Sequence, residues 1–414
     1  MGLSGDRYDK ETMEYARSEE EKLEALSVRS YREDSGRPRR EFERDYARVL
    51  YSSSFRRLQG KMQLLGVDHT QFTRNRLTHS LEVAQIARGI ATDLNLADTF
   101  VVETCSLAHD LGNPPFGHSG ESVLHRIAEE NKIDGFEGNA QSFRTLAQLE
   151  KKSSAYRGLN LTLRTLLGVV KYHERYTSGS GKFLYDDDYE AVSQWAQEYG
   201  LGNKACTIDM QIMDLADEIA YGAHDLEDSL TLKYFSIDEL LHEFHNSKYR
   251  AALPKMEEIV NTCRVRASGS QSYGSEEYSQ IFRKELTSFI VNTLMGDLGL
   301  VEMDGITRLG YRQHRDLAKG LKMLTFEGIK RRPAVQLYEK QGEKVIQGLY
   351  QVYSDPAFNH KQELLPPEFR GEGVRLTRNI IDFIAGMMDT FALQHYEEFY
   401  GKGSLNVLYT GRPA

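Results

Sequence analysis

Residues 208–230 read IDMQIMDLADEIAYGAHDLEDSL, and their spacing decides the fold class. Ile212, Leu215, Ala216, Ile219, Ala220 and Ala223 recur at helical intervals. Upstream, HSLEVAQIARGIA (79–91) places Leu81, Ala84, Ile86, Ala87, Ile90 and Ala91 mostly on one helical stripe. TFVVETCSLAHDL (99–111) is a further apolar run, and it stops where Gly112-Asn113-Pro114-Pro115 prevents a helix from continuing. Strand-like alternation does not repeat often enough for a large sheet. A short strand pair is expected at most between Tyr172 and Tyr185, where glycine, serine and aromatics mix. These patterns predict an all-α, or mainly α, protein.

The chain has 414 residues and a formal net charge of −9, which argues against a protein that generally coats nucleic acid. A hydrophobic content of 40% with 27% charged residues fits a globular chain rather than a disordered one. No apolar stretch approaches the roughly 18 residues that span a bilayer, and the charged start MGLSGDRYDKETMEYARSEEEK lacks the apolar region of a secretory signal. Asp6 stands where a myristoylation signal has Ser or Thr. Cys105, Cys206 and Cys263 are odd in number and far apart, which points to a reducing compartment, and a cytoplasmic location is expected. Three regions are expected. Residues 1–40 form an arm ending in the basic turn Gly36-Arg37-Pro38-Arg39-Arg40. Residues 41–235 hold the candidate chemistry, and 236–414 form a C-terminal helical region.

Metal-ligand side chains recur across the three helical stretches. His79 opens the first, His109 and Asp110 are adjacent near the end of the second, and Asp217 lies inside the third. Imidazole and carboxylate together suit a divalent first-row ion, and Mg²⁺ less comfortably. Neighbours on a helix diverge by about 100°, so His109 and Asp110 share an ion only at a helix end. Each residue alone has a plainer reading: a hydrogen-bonded core histidine, a chance dipeptide, a solvated aspartate. Residues 214–228 carry six acidic side chains, and buried acids are rarely left without partners. Asp225 lies eight residues after Asp217, near the same face.

The sequence resembles the HD-domain metal-dependent phosphohydrolases, and within them the deoxynucleoside triphosphate triphosphohydrolases, especially the bacterial dGTPases. The resemblance rests on FERDYARVLYSSSFRRLQGKMQLL (42–65), TRNRLTHSLEVAQIARGIA (73–91), LAHDLGNPPFGHSGE (107–121), FEGNAQSFR (136–144), DLADEIAYGAHDLED (214–228) and DFIAGMMDTFAL (382–393). It implies an HD-domain helical fold with additional C-terminal helices. It also implies that His79, His109, Asp110 and Asp217 are metal ligands, that His118 is the catalytic histidine, and that Glu121 is its carboxylate partner. Arg76 would hold the triphosphate, with Lys171 and Tyr172 at phosphate contacts and Lys182 a further candidate. Gln63 and Leu64 would line deoxyribose and base. Tyr221 would stack under the sugar and exclude a 2′-hydroxyl, and Asp225 would lie near the 3′-hydroxyl. Segment 171–190 is shorter than the family's, which bears on the phosphate side.

The activity so implied is hydrolysis of a deoxynucleoside triphosphate, dGTP foremost, to deoxynucleoside and inorganic tripolyphosphate. Mn²⁺ or Mg²⁺ is the expected cofactor, and Fe²⁺ also suits the ligands. The physical reading runs parallel. The stiff Asn113–Gly117 link aims His118 back toward the metal ligands, and a histidine titrates where it can move a proton. Glu121 could fix its tautomer, although ordinary helix capping by Ser119–Glu121 is the alternative. Two rival functions stand: another HD phosphohydrolase acting on monophosphate, cyclic or alarmone substrates, and a single-stranded nucleic-acid-binding regulator with a vestigial site. The resemblance further implies a homo-oligomer, hexamer or tetramer. Single-stranded DNA is a candidate partner through Arg37, Arg39 and Arg40, and Gln336 and Lys340 fall where relatives lend a basic residue to a neighbouring site.

Overall fold

The structure is a computed structural model that describes residues 7–33, 39–63, 74–177, 179, 181–202, 206–269, 274–303, 305–406 and 408. Among the described residues its regular structure is helical, apart from a two-stranded antiparallel sheet and isolated bridges. No helix among the described residues is long and apolar enough to cross a membrane. The chain forms two compact units: Met1–Glu24 with Glu82–Ser106 and Thr207–Pro333, and Ala25–Leu81 with Leu107–Cys206 and Ala334–Ala414.

In the first unit the arm's helix, Lys10–Glu21, begins at Asp9, whose side chain accepts the Thr12 N–H. Tyr8 is buried just before it and donates its hydroxyl to the Met295 carbonyl at 3.0 Å. Glu20 accepts the backbone N–H groups of Ala97 and Asp98. The 208–230 stretch is helical over its whole length but not uniformly so. An α-helix, Ile208–Ala220, passes into a π-helical turn, Tyr221–Asp225, and then into the helix Leu226–Thr231. Strands β1 (Leu298–Met303) and β2 (Ile306–Tyr311) follow, and the helix Arg315–Lys330 packs on the π turn.

That sheet corrects the expectation of strands between Tyr172 and Tyr185, where the described residues form only an isolated bridge between Arg175 and Leu184. The signal at 298–311 was two β-competent runs, LGLVEM and ITRLGY, separated by Asp304-Gly305.

In the second unit, the helices Gly117–Glu130, Pro333–Ser354 and Gly373–Ala385 meet over a core that includes Phe116, Leu124, Phe136, Ile346, Leu349 and Ile384. Gly342 lies against the Phe116 side chain, where an added Cβ would stand 2.5 Å from the Phe116 Cβ and 2.6 Å from its ring Cγ. Asp45 is fully buried on the helix Glu41–Leu50. There it takes the Arg29 guanidinium at 2.5 Å and both the N–H and hydroxyl of Thr162. Those donors satisfy a charge that would otherwise be expensive to bury. Arg39 and Arg40 of the basic turn are exposed, and Arg37 lies outside the described residues.

Candidate metal centre

Asn75 starts the helix Arg76–Asp93 by accepting the Thr78 N–H on its side-chain oxygen at 3.0 Å. That start sets Arg76 and His79 in the first turn, both buried. The helix Thr99–Ala108 ends one residue before His109, so His109 and Asp110 occupy the turn just past it. This is the geometry in which adjacent residues can face one ion. His79, His109 and Asp110 bring their ligand-type atoms within 4.8 Å of one another, and all three are buried. The two imidazole rings lie 5.6 Å apart between centroids. Two ring nitrogens and a carboxylate oxygen are a donor set that fits a divalent first-row cation.

Asn113 and Ser142, which sequence reasoning did not single out, hold this turn in place together with Arg76. Asn113 donates its amide to Asp110 Oδ1 at 2.5 Å, while Arg76 Nη1 pairs with Oδ2 at 2.6 Å. The Ser142 hydroxyl accepts the Gly112 N–H at 2.9 Å and donates to the His109 carbonyl at 2.6 Å. Ser142 belongs to the helix Gly138–Arg144, formed from the FEGNAQSFR stretch. Gly112 lies so close to that helix that a Cβ would stand 2.2 Å from the Ser142 nitrogen and 2.3 Å from the Gly138 oxygen.

The Asn113–Gly117 link turns sharply into the next helix. Phe116 takes a left-handed backbone conformation at φ 62°, and Gly117 follows at φ 54°. The Phe116 N–H donates to Asp389 Oδ1, and its buried ring meets Tyr338 edge-on, which stabilises a conformation that phenylalanine rarely adopts. His118 then sits in the first turn of Gly117–Glu130 with 69% of its side chain exposed. Its Nδ1 faces Glu121 Oε2 at 3.2 Å. Glu121 Oε1 accepts the Gly138 N–H at 3.0 Å. Burial pushes the Glu121 carboxyl up, but the hydrogen bond with His118, the charge of Lys182 and the Gly138 N–H together hold it below its usual value. An ionised Glu121 favours a proton on His118 Nδ1 and leaves Nε2 for a reacting group.

The other expected site residues are distributed as follows. Gln63 is only 7% exposed, and its amide has no hydrogen-bond partner among the described residues. Leu64 lies outside the described residues. Lys171 and Tyr172 are half-buried in the second unit. Lys182 lies 5.4 Å from the Tyr172 ring centroid, and its ammonium donates to Glu137 at 2.6 Å, so it is already paired with an acid. Lys340 is paired with Glu343. Asp217, Tyr221 and Asp225 belong to the first unit. Asp217 is buried on Ile208–Ala220, and the π turn carries Tyr221 and a buried Asp225. In the same turn His224 Nδ1 lies 3.0 Å from Glu82 Oε2.

Comparison with known proteins comes to the same region. Residues 76–222 match the HD domain, and residues 312–398 match a phosphohydrolase-associated domain. The chain is 53% identical to deoxyguanosinetriphosphate triphosphohydrolase-like protein 2 of Vibrio cholerae, over 97% of this chain and 99% of that protein. It is 31% identical to the deoxyguanosinetriphosphate triphosphohydrolase-like protein of Shewanella pealeana, over 89% and 93% of the two chains. It is 33% identical to the protein of that name from Rickettsia bellii, over 89% and 94%.

Proposed function

The chain belongs to the HD-domain family of deoxyguanosinetriphosphate triphosphohydrolase-like proteins, and from that membership we propose that it hydrolyses a deoxynucleoside triphosphate, dGTP foremost, to the deoxynucleoside and inorganic tripolyphosphate. The observation that carries the reading is the convergence of His79, His109 and Asp110 in one buried cluster. Asp217 completes the proposed ligand set. A divalent cation held there, Mn²⁺ or Mg²⁺ with Fe²⁺ also suited, supplies positive charge for a phosphate oxygen and makes a water more acidic.

The remaining work falls to the chain's own groups. Water adds to the α-phosphorus and gives up a proton to solvent, the bond from phosphorus to the sugar 5′-oxygen breaks, and His118 delivers a proton to that oxygen from Nε2. Glu121 holds the other ring nitrogen. A triphosphate brings about four negative charges to a chain whose net charge is already −9, so binding needs local cations. At an effective dielectric of about 20 one pair at 4 Å is worth roughly 4 kcal/mol. Arg76, Lys171 and Lys182 are the proposed cations. Arg76 and Lys182 start in ion pairs with Asp110 and Glu137 and exchange them for phosphate oxygens. Gln63 and Leu64 are the residues proposed for sugar and base, Tyr172 joins Lys171 at the phosphates, Tyr221 packs under the sugar, and Asp225 takes the 3′-hydroxyl. A homo-oligomer, hexamer or tetramer, is the proposed assembly, with single-stranded DNA a partner for the basic arm.

The test is a panel of the four dNTPs and GTP with Mn²⁺ or Mg²⁺, with products separated by chromatography. Tripolyphosphate and a free deoxynucleoside are expected, with GTP turned over poorly. Release of pyrophosphate or single phosphate defeats the proposed reaction. Turnover confined to monophosphate or cyclic substrates moves the chain to another branch of the HD phosphohydrolases.

A further inference from the structure

The helix Arg315–Lys330 meets the π turn at two consecutive residues on each side. Gly222 approaches Leu321 so closely that a Cβ on the glycine would stand 3.3 Å from the Leu321 Cβ. Next to that contact, the ammonium of Lys322 lies over the Tyr221 ring, 4.5 Å from its centroid. A cation within about 6 Å of an aromatic face is attracted by the ring's quadrupole, and the attraction grows as water is excluded. Lys322 is half-buried and Gly222 is buried. The glycine lets the two backbones close, and the lysine then covers one face of the neighbouring ring.

We infer that Lys322 is a positioning residue for the nucleotide: it clamps the Tyr221 ring from one face and so fixes the face that the sugar packs against. This rests on the reading above in which Tyr221 meets the deoxyribose. The mechanical reason is the π turn itself. A π turn carries one residue more than the α-helical ladder accommodates, so its side chains are set by local contacts rather than by helix geometry alone. A tyrosine ring has a free torsion at χ2 and swings unless something holds its plane. A ring free to swing still offers apolar surface to a sugar, but it no longer excludes a 2′-hydroxyl by position. Sugar discrimination therefore depends on a lysine about a hundred residues downstream, in the phosphohydrolase-associated region.

The experiment compares full-length wild type with Lys322→Met, Lys322→Arg, Tyr221→Ala and the double variant Tyr221→Ala/Lys322→Met. KM and kcat are measured for the preferred dNTP and its ribonucleotide, and hydrogen exchange is followed in peptides covering 221–225. Lys322→Met is expected to raise KM for the dNTP about tenfold and to lower deoxy-over-ribo preference by a similar factor. Its kcat stays within about threefold, and the 221–225 peptides exchange faster. Lys322→Arg, which keeps a cation over the ring, restores both. In the Tyr221→Ala background, Lys322→Met changes KM less than twofold. An active enzyme in which Lys322→Met leaves KM and preference at wild-type values overturns the inference. So does an effect that persists in full without the Tyr221 ring, because the lysine then acts on substrate directly. A wild type that hydrolyses no dNTP overturns the parent reading and takes this one with it, which separates the two failures.

Discussion

Asp110 has both carboxylate oxygens engaged by the protein itself, Oδ1 by the Asn113 amide and Oδ2 by Arg76. Hydrogen bonds of this kind orient a ligand and fix its charge, and losing one typically costs about 10–100-fold in metal affinity. Asn113→Ala is therefore expected to weaken Mn²⁺ binding by about tenfold in titration calorimetry, with the fold intact by circular dichroism. Unchanged affinity would show that Asn113 serves only the turn. His109→Ala and Asp110→Ala should lose both bound metal and turnover. His118→Ala should keep its metal and lose turnover, and metal loss in that variant would transfer His118 to the ligand set. The histidines and the aspartate stood out in the sequence because ligand types are rare on apolar helices. Asn113 did not, since an asparagine before two prolines reads first as a turn residue, and its amide's partner is a matter of three-dimensional geometry. Ser142 was hidden for a similar reason: a serine inside a short helix gives no sign that its hydroxyl will bridge a glycine N–H and a histidine carbonyl thirty-odd residues upstream.

At the scale of elements, the helix Gly138–Arg144 is what holds the His109–Asp110 turn, and Gly112 is the point of closest approach. The space there is closed by backbone atoms rather than by flexible side-chain ends, so an added methyl cannot be accommodated by a rotamer change. Gly112→Ala is expected to destabilise the protein by about 3 kcal/mol and to reduce metal affinity even where it still folds. Thermal melts with and without Mn²⁺ measure both effects. A variant with a wild-type melting temperature would mean that the turn has room to move. The helices around this contact were legible because amphipathic spacing survives in a single sequence: 79–91 and 99–111 anticipated Arg76–Asp93 and Thr99–Ala108 to within a few residues. The π turn at Tyr221–Asp225 was not legible. One extra residue in a helical run shifts the apolar stripe by about 100°, and a stretch of alanines and glycine around Tyr221 is too permissive to reveal the slip. The hairpin of β1 and β2 was missed although Asp304-Gly305 marks it, because two six-residue strands are a small signal beside long helices on both sides.

Across the whole molecule, two buried ionisable groups in the second unit are shifted toward neutrality from opposite sides and pull stability in opposite directions with pH. Lys61 is enclosed, donating to the carbonyls of Asn113 and Ala385. Burial first, and then the neighbouring Arg57 charge, bring it down from 10.5 to about 7. Its contribution to stability is full above its unfolded value and is lost as pH falls through 7, because the folded chain resists the proton that the unfolded chain takes up. Asp188 has its pKa pushed up from 3.8 to about 6 by burial, with one oxygen taken by the Gln148 amide and the other without a hydrogen-bond partner among the described residues. Its contribution is full below its unfolded value and is lost as pH rises through 6. Between pH 6 and 7 both contributions are largely gone. Thermal stability of the metal-free protein should therefore rise from pH 7 toward pH 9, by up to about 1.4 kcal/mol per unit from Lys61 alone. Lys61→Met should flatten that rise whatever it does to the absolute melting temperature, since the substitution removes the titrating group and also strips two carbonyls of their donor. Asp188→Asn keeps an acceptor for Gln148 and removes the charge, so it should raise stability by on the order of 1–2 kcal/mol at pH 7 and by little at pH 4. A Lys61→Met protein that keeps the wild-type slope between pH 7 and 9 would place the titrating group elsewhere. An Asp188→Asn protein that gains equally at pH 4 and pH 7 would mean that the aspartate binds its proton alike in the folded and unfolded chains, with no raised pKa.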